Sequence, residues 1–158
     1  MSEGKLKIGS LFSGSGGFEL AAALHGIEPV WASEIEPYPI AVTTSRFPNL
    51  KHLGDVSKIN GAEIDPVDII TFGSPCQDLS VAGKREGIIE GERSNLFFQA
   101  TRIVKEMRNA TRNRYPNILV WENVSGAFNS HNGVLLEDLD DLLECDPEIF
   151  AVVRVKGS

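Results

Sequence analysis

Cysteine is nearly absent from this sequence of 158 residues, which contains only Cys76 and Cys145. The two lie far apart and neither belongs to a CxxC pair, so the sequence predicts no disulfide framework, no zinc knuckle and no thiol-redox motif. Histidine is almost as scarce: His25, His52 and His131 are scattered, and each is ordinarily interpreted as a surface or core-edge imidazole. We therefore predict no metal site.

Long apolar runs are also missing. No stretch approaches the roughly 20 apolar residues that span a bilayer, and the polar residues 1–7 lack the apolar region of a signal peptide. We therefore predict a cytoplasmic protein without a membrane segment. With 42% hydrophobic and 23% charged residues, the composition fits one globular domain over residues 1–158 with a single modest core.

An excess of positive charge is lacking as well. The chain has 15 Lys and Arg against 22 Asp and Glu, and its formal net charge is −7. This balance is unusual for a nucleic-acid-binding protein, because Lys and Arg normally neutralise the phosphates. Seven of the acids fall within residues 137–148, which contain no basic residue, so the rest of the chain is balanced. We interpret that window as a solvated helix face and its exit.

Strand-like and helix-like segments alternate along the chain, which predicts βαβ units on a parallel sheet and an α/β fold. The expected strand-like segments are residues 7–12, 30–34, 52–56, 67–72, 117–120 and 149–155. The expected helices are residues 18–25 and 37–47, a third that follows an N-cap at Ser94, and a fourth over residues 135–143. The third helix has the clearest pattern, because apolar residues recur at helical spacing from Leu96 to Met107.

The turn at residues 73–77, GSPCQ, is the most informative stretch, because it presents Cys76 on a proline-stiffened loop after a predicted strand. Ligands bind at strand tips in open α/β sheets, and a loop thiol can be ionised and aimed at a substrate. A free thiol is mostly protonated at neutral pH, so reactivity requires stabilisation by loop N–H groups or by Lys84, Arg85 or Arg93. The alternative is a loop cysteine without a function.

Three other predicted strand tips carry residues suited to a nucleoside-like ligand. A GxGG turn at residues 14–17 lets backbone N–H groups approach a ligand closely, although a tight strand-to-helix connection needs glycine in any case. Glu34 ends the second strand, where an acid typically binds ribose hydroxyls in this type of fold. Asp55 ends the third segment and is placed to accept a hydrogen bond from an adenine amino group.

Glu122 is the second catalytic candidate. It follows the predicted strand 117–120, and Val120, Trp121 and Val124 would partly desolvate its carboxyl group. Such a carboxyl group suits a general acid. The alternative is an exposed glutamate at the end of a strand.

These residues, in their order and spacing, resemble the DNA cytosine-5 methyltransferases, and most closely the bacterial or phage modification methylases of restriction-modification systems. The resemblance covers roughly residues 7–155. No single element carries it, but the ordered set is very specific. The matching segments are LFSGSGGF at 11–18, Glu34, GDV at 54–56, GSPCQDLS at 73–80, RSNLFF at 93–98 and ENV at 122–124.

The resemblance implies a Rossmann-like sheet that uses S-adenosylmethionine to methylate DNA, with the target cytosine flipped out of the duplex. It implies that Cys76 attacks C6 of cytosine as a thiolate, and that Glu122 hydrogen-bonds or protonates N3. Gln77, Ser80 and Lys84 would close over the DNA. The implied cofactor contacts are Phe12, Ser13, Gly14, Gly16, Gly17, Glu34, Ile35, Asp55, Val56, Pro75 and Leu96.

The sequence departs from the family pattern in two ways. Ser10 stands where many members have aspartate, and the sequence stops before the family's arginine-rich motif, antiparallel strand and target-recognition domain. We therefore expect a single, incomplete catalytic domain that is inactive or very weakly active alone. Its strand 149–155 should have lost its sheet partner, and should be an exposed edge, displaced, or paired with another chain.

Several interpretations stay open at this point. The chain is a natural subunit that needs a complementary C-terminal chain, a truncated product, or a fragment. A non-catalytic module that binds S-adenosylmethionine or a partner protein is the alternative in a different class. A fragment of an RNA cytosine-5 methyltransferase is a third interpretation, because the discriminating region would lie outside these residues.

Overall fold

A computed structural model describes residues 4–73, 94–123 and 151–156. The strands are β1 (Lys7–Leu11), β2 (Glu28–Ser33), β3 (Lys51–His52), β4 (Ile69–Phe72), β5 (Ile118–Asn123) and β6 (Ala151–Lys156). The helices are α1 (Gly17–Leu24), α2 (Pro37–Arg46) and α3 (Ser94–Ala110), and Val56–Lys58 form a short 3₁₀ turn. Within the described ranges, no helix combines the length and apolar character needed to cross a membrane.

The six strands form one sheet in the order β3-β2-β1-β4-β5-β6, and each of the five strand pairings is parallel. β1 lies near the centre, with β2 on one side and β4 on the other. The chain runs outward from β1 to β3 and then returns to β4 beside β1. This doubly wound arrangement confirms the predicted α/β fold, and in sheets of this type ligands bind at the carboxyl ends of the strands where the order reverses, here β1 and β4.

The main core lies between the sheet and α3. Phe97, Ala100, Ile103, Val104 and Met107 are each at most 2% exposed, which confirms the apolar face predicted for this helix. They pack in one cluster with buried strand and turn residues, namely Leu11, Trp31, Val56, Ile59, Val67, Ile70, Phe72, Leu119 and Trp121. A smaller cluster of Ile8, Ala22 and Ile69 joins α1 to the sheet.

Several strands differ from their predicted bounds for identifiable reasons. β1 ends at Leu11 because Phe12 takes a φ of 56°, which leaves the extended region. β3 ends at His52, since Gly54 has a φ of 72° and turns the chain toward the 3₁₀ helix. β5 continues to Asn123, three residues beyond the prediction, because its pairing with β6 extends to that residue. The predicted helix at 135–143 lies outside the described residues.

The expectation that the last strand had lost its sheet partner is wrong. β6 pairs in parallel with β5 along its whole length, from Ala151 opposite Ile118 to Lys156 opposite Asn123. It is therefore neither displaced nor dependent on another chain for pairing. β6 lies at the edge of the sheet, which was one of the three predicted arrangements.

Gly9 leaves room for the Trp31 side chain beside β1. A Cβ atom at this position would lie 2.2 Å from Cζ2 of the Trp31 indole, far inside van der Waals contact. Trp31 is fully buried and donates a hydrogen bond from Nε1 to the Asp65 carbonyl at 2.9 Å, so the ring is anchored. The register between β1 and β2 also shifts between Ile8 and Gly9.

We expect Gly9→Ala to destabilise the protein by about 1–3 kcal/mol, the usual cost of overpacking a filled core. Urea denaturation followed by tryptophan fluorescence measures this change. Gly4→Ala is the matched control, because nothing lies within 4 Å of the Cβ position there. Equal stability of the two variants would contradict the role assigned to Gly9.

Candidate functional site

The carboxyl ends of β1, β2 and β4 bring together residues that are distant in the sequence. In a doubly wound sheet the ligand binds at this end, beside the strand where the chain reverses direction. Here that strand is β1, between β2 and β4. The residues that follow these strands are therefore the first candidates for a binding site.

The turn after β1 has an unusual backbone. Gly14 and Gly16 have φ values of 56° and 86°, which favour glycine, and Phe12 has a φ of 56°. A bulky residue in this left-handed region is strained, and such strain is typical of functional turns. The Ser13 N–H donates to the Ser33 carbonyl at 3.0 Å, which ties this turn to the end of β2.

Gly16 is also required by packing. A Cβ atom there would lie 2.8 Å from Cγ2 of Thr43 on α2. The turn leads directly into α1, which has Gly16 as its N-cap and no side chain that caps it. The N–H groups in the first turn of a helix have no partner within the helix, so the start of α1 can receive an acceptor group.

Glu34 is bound to the glycine turn. Its Oε2 accepts a hydrogen bond from the Gly14 N–H at 2.8 Å, and its Oε1 accepts from the N–H groups of Ile35 and Glu36 at 2.8 and 3.0 Å. These bonds fix the orientation of the carboxylate. Each oxygen of a carboxylate has two lone pairs, so Oε2 of Glu34 can accept one further hydrogen bond, from a ligand hydroxyl.

Asp55 lies beside the same region. Its Oδ1 accepts hydrogen bonds from the N–H and the hydroxyl of Ser57 at 2.9 and 2.8 Å. The Ser57 N–H and then its hydroxyl lower the pKa of Asp55. The group is therefore an ionised acceptor at neutral pH. Ser33 donates from Oγ to the carbonyl of Gly54 at 2.6 Å, which connects the end of β2 to this segment.

Glu122 lies within β5, near its end, rather than after the strand as the sequence predicted. Its side chain is half-buried and lies against Gly73, where a Cβ atom would be 3.0 Å from Oε2 of Glu122. Gly73 directly follows β4 and stands three residues before Cys76 in the sequence. The structure thus places the Glu122 carboxylate at the start of the segment that contains Cys76.

The other predicted site residues divide into two groups. Ile35 is 66% exposed, Leu96 is half-buried at the start of α3, and the Val56 side chain is only 4% exposed and belongs to the core. The second group lies outside the described residues, and its members are Pro75, Cys76, Gln77, Ser80 and Lys84. Within the described part of the chain, no three His, Cys, Asp or Glu residues are grouped to hold a metal ion.

Sequence reasoning missed Glu19, a fully buried acid in the first turn of α1. Neither carboxyl oxygen has a partner in full hydrogen-bonding geometry. Burial raises the pKa of Glu19, and the Glu19 backbone N–H and the Ser10 and Ser13 hydroxyls offset only part of this effect. Oε2 lies 3.7 Å from the position that a Cβ atom of Gly16 would take, so the acid lies beneath the glycine turn.

The fold and the site together define a doubly wound domain with a cradle for a nucleoside-like ligand. The comparison with protein families is more specific: the model described as C-5 cytosine-specific DNA methylase matches residues 6–145. The chain belongs to this family.

Curated relatives come from phages and bacteria. The chain is 40% identical over 134 residues to the orphan methyltransferase M.SPRI of Bacillus phage SPR, and 36% identical over 132 residues to the type II methyltransferase M.HhaI of Haemophilus parahaemolyticus. These matches cover 82% and 84% of this chain. A protein named DNA N-6-adenine-methyltransferase, from Escherichia phage P1, is 34% identical over 132 residues, or 80% of this chain. The chain spans 29%, 38% and 17% of the length of these three relatives.

A solved structure shows the same fold. It is described as a prophage-encoded DNA modification methyltransferase of E. coli, and it matches this chain with a TM-score of 0.69 at 28% sequence identity. The match covers 90% of this chain and 38% of the other.

We expect the stability of the protein to fall as the pH rises above about 4.5, because Glu19 has a raised pKa in the folded state and titrates near its ordinary value of 4.5 when unfolded. Glu19→Gln removes the ionisation. The variant should therefore be more stable than the wild type at pH 8, because a glutamine at this position carries no buried charge. Urea denaturation from pH 4 to pH 8 should show this advantage shrinking toward pH 4.

Glu63→Gln provides the control, since it makes the same chemical change at an exposed side chain. An advantage of Glu19→Gln that is the same at pH 4 and pH 8 would show that ionisation of Glu19 is not its cause.

Proposed function

We propose that these residues form the cofactor-binding and catalytic segment of an enzyme that methylates C5 of cytosine in DNA. Membership of the family implies S-adenosylmethionine as the cofactor. The observation that carries the proposal is the position of Glu122 against Gly73, at the carboxyl ends of the strands, where the glycine turn and Glu34 also lie. The same end of the sheet then carries the proposed cofactor-binding residues and the proposed catalytic carboxyl group.

The residues at the carboxyl ends of these strands fit S-adenosylmethionine. The start of α1, without a side-chain cap, suits the carboxylate of the methionine part. Glu34 is oriented to accept a hydrogen bond from a ribose hydroxyl, and the ionised Asp55 can accept one from the adenine amino group. When bound, S-adenosylmethionine supplies an electrophilic methyl group on a sulfonium.

C5 of cytosine is a poor nucleophile, so the reaction needs a covalent step. In our proposal the Cys76 thiolate forms a bond to C6, and Glu122 gives a proton to N3, so that the electron pair of the C5–C6 double bond becomes available at C5. C5 would then take the methyl group from the sulfonium, and the broken S–CH3 bond would leave S-adenosylhomocysteine as the departing thioether. Loss of the C5 proton to a base, expulsion of the Cys76 thiolate and return of the N3 proton to Glu122 complete the cycle.

The proposed substrate is DNA with the target cytosine flipped out of the duplex, and Gln77, Ser80 and Lys84 are the proposed contacts to it. The relatives are much longer than the matched segment, and the net charge of −7 gives these residues little of the positive charge that DNA requires. We propose that base recognition depends on residues beyond those matched, in the same or a complementary chain. The 158 residues alone should turn over weakly.

Methylation of adenine is a second candidate, because the phage P1 relative is named for it. The matched segment is only 17% of that protein, so its name describes a chain that lies mostly outside the match. The exocyclic amine of adenine is itself a nucleophile, and its methylation does not need a thiol that adds to the ring. The combination of Cys76 and Glu122 therefore favours cytosine.

We expect Cys76 to form a covalent adduct with DNA that contains 5-fluorocytosine, in the presence of S-adenosylmethionine and a candidate C-terminal chain. Fluorine at C5 cannot leave as a proton does, so the adduct persists and is visible as a band of higher mass under denaturing conditions. Cys76→Ser should abolish the band, whereas Cys145→Ser, which alters the other cysteine, should retain it.

Absence of the adduct in every combination, together with unchanged methylation by Cys76→Ser, would sink the covalent mechanism. Transfer of labelled methyl groups to adenine rather than cytosine would favour the second candidate. Transfer to RNA but not DNA would identify the substrate as RNA.

We expect Glu122→Gln to reduce adduct formation about 10²–10⁴-fold, the range for loss of a general acid, because glutamine cannot give a proton to N3. Gly73→Ala should also slow this step, since its methyl group would lie 3.0 Å from Oε2 of Glu122 and displace it. Calorimetry should show that both variants bind S-adenosylhomocysteine as the wild type does. An unchanged adduct rate in Glu122→Gln would show that the group has no chemical role.

A further inference from the structure

Two side chains of α3 form hydrogen bonds with the backbone in and just after the 3₁₀ turn that follows Asp55. The Arg102 guanidinium donates from Nη1 to the carbonyl of Ile59 at 2.9 Å and from Nη2 to the carbonyl of Val56 at 3.2 Å. Both carbonyl groups belong to the segment directly after Asp55. One side chain thus bonds to the beginning and to the end of this short turn.

Glu106 completes the arrangement. Its two carboxylate oxygens accept hydrogen bonds from Arg102 Nη1 at 2.8 and 2.9 Å, and its Oε2 also accepts from the Gly61 N–H at 2.7 Å. Arg102 and Glu106 are one helical turn apart, and their side chains are only 33% and 32% exposed. Bonds from a charged donor to a partly desolvated acceptor are stronger than those between neutral groups.

Close packing accompanies these bonds. A Cβ atom at Gly61 would lie 2.2 Å from the carbonyl oxygen of Ile103, so the backbone after the turn lies directly on α3. Val56 and Ile59 are 4% and 6% exposed and belong to the core cluster that contains the face of α3. A three-residue 3₁₀ turn has little stability of its own, so its position depends on these outside contacts.

We propose that Arg102 and Glu106 are positioning residues for adenine recognition: they hold the turn that orients Asp55 and thereby set the preference of the site for adenine. This inference rests on the proposed function, which assigns the adenine amino group to Asp55. The same helix carries Leu96, a predicted cofactor contact that packs against the same core. α3 would then position two sides of the proposed adenine pocket, one at Asp55 and one at Leu96.

The test compares two ligands that differ at the position Asp55 would recognise. S-adenosylhomocysteine has the amino group, and S-inosylhomocysteine has a carbonyl oxygen in its place. Calorimetry on the 158-residue chain should give a wild-type Kd ratio of about tenfold or more in favour of the adenosyl ligand, the value of one good hydrogen bond to a charged group. Asp55→Asn should bring this ratio close to one.

Arg102→Gln should lower the ratio toward that of Asp55→Asn, and Glu106→Gln should lower it less, because glutamine keeps an acceptor oxygen for the Gly61 N–H. Arg114→Gln is the matched control, since Arg114 is exposed and lies outside this contact. A variant that is partly unfolded loses binding sites for both ligands equally, and its Kd ratio does not change. The readout therefore separates positioning from a general loss of folded protein.

A wild-type ratio in Arg102→Gln, beside a lost ratio in Asp55→Asn, would overturn the inference and leave the proposed function intact. Equal binding of the two ligands by the wild type would overturn it as well, because Asp55 would then not recognise adenine. If the wild type bound neither ligand, the proposed function itself would fail and this inference with it.

Discussion

The placement of β1 between β2 and β4 is the constraint on which the site depends. Parallel pairing on both sides aligns the carboxyl ends of three strands that are widely separated in the sequence. At the centre of this sheet, Gly9 leaves room for the buried indole of Trp31, with which any larger residue would collide. The hydrogen bond from Gly14 to Glu34 then connects two of those strand ends directly. The proposed cofactor site is thus a consequence of how the centre of the sheet packs.

Much of this architecture could be predicted from the sequence, because its signals are local. The apolar face of α3 follows from helical spacing, and the turn after β1 follows from glycine. The ends of the strands were less predictable, since pairing partners decide them. β5 extends past Val120 because Trp121 stacks with Phe72 at a centroid distance of 6.5 Å, and because β6 continues the pairing to Asn123. Neither contact is visible in residues 117–123 alone.

The buried acid and the ion pair of α3 could not have been found in this way. Glu19 lies in the first turn of α1, where an exposed acid would interact favourably with the helix dipole. The sequence therefore suggests an ordinary first-turn residue. Only the tertiary structure shows that it is fully buried beneath the glycine turn, without a partner in full hydrogen-bonding geometry. Arg102 and Glu106 likewise have the spacing of a surface pair. Their importance comes from carbonyl and N–H groups more than 40 residues earlier in the chain.

α3 connects the two halves of the proposed site. Near its start, Phe97 packs edge-on against Phe72 and Trp121, with centroid distances of 6.1 and 5.2 Å. Phe72 directly precedes Gly73, and Trp121 directly precedes Glu122, so this aromatic cluster fixes the backbone at Glu122, the proposed catalytic group. Farther along the helix, Arg102 bonds to the segment that follows Asp55. A displacement of α3 would therefore move the Asp55 segment and the Glu122 segment of the proposed site together. For this reason, substitutions on the buried face of α3 should impair both cofactor binding and chemistry. A substitution of Arg102 should chiefly affect cofactor binding.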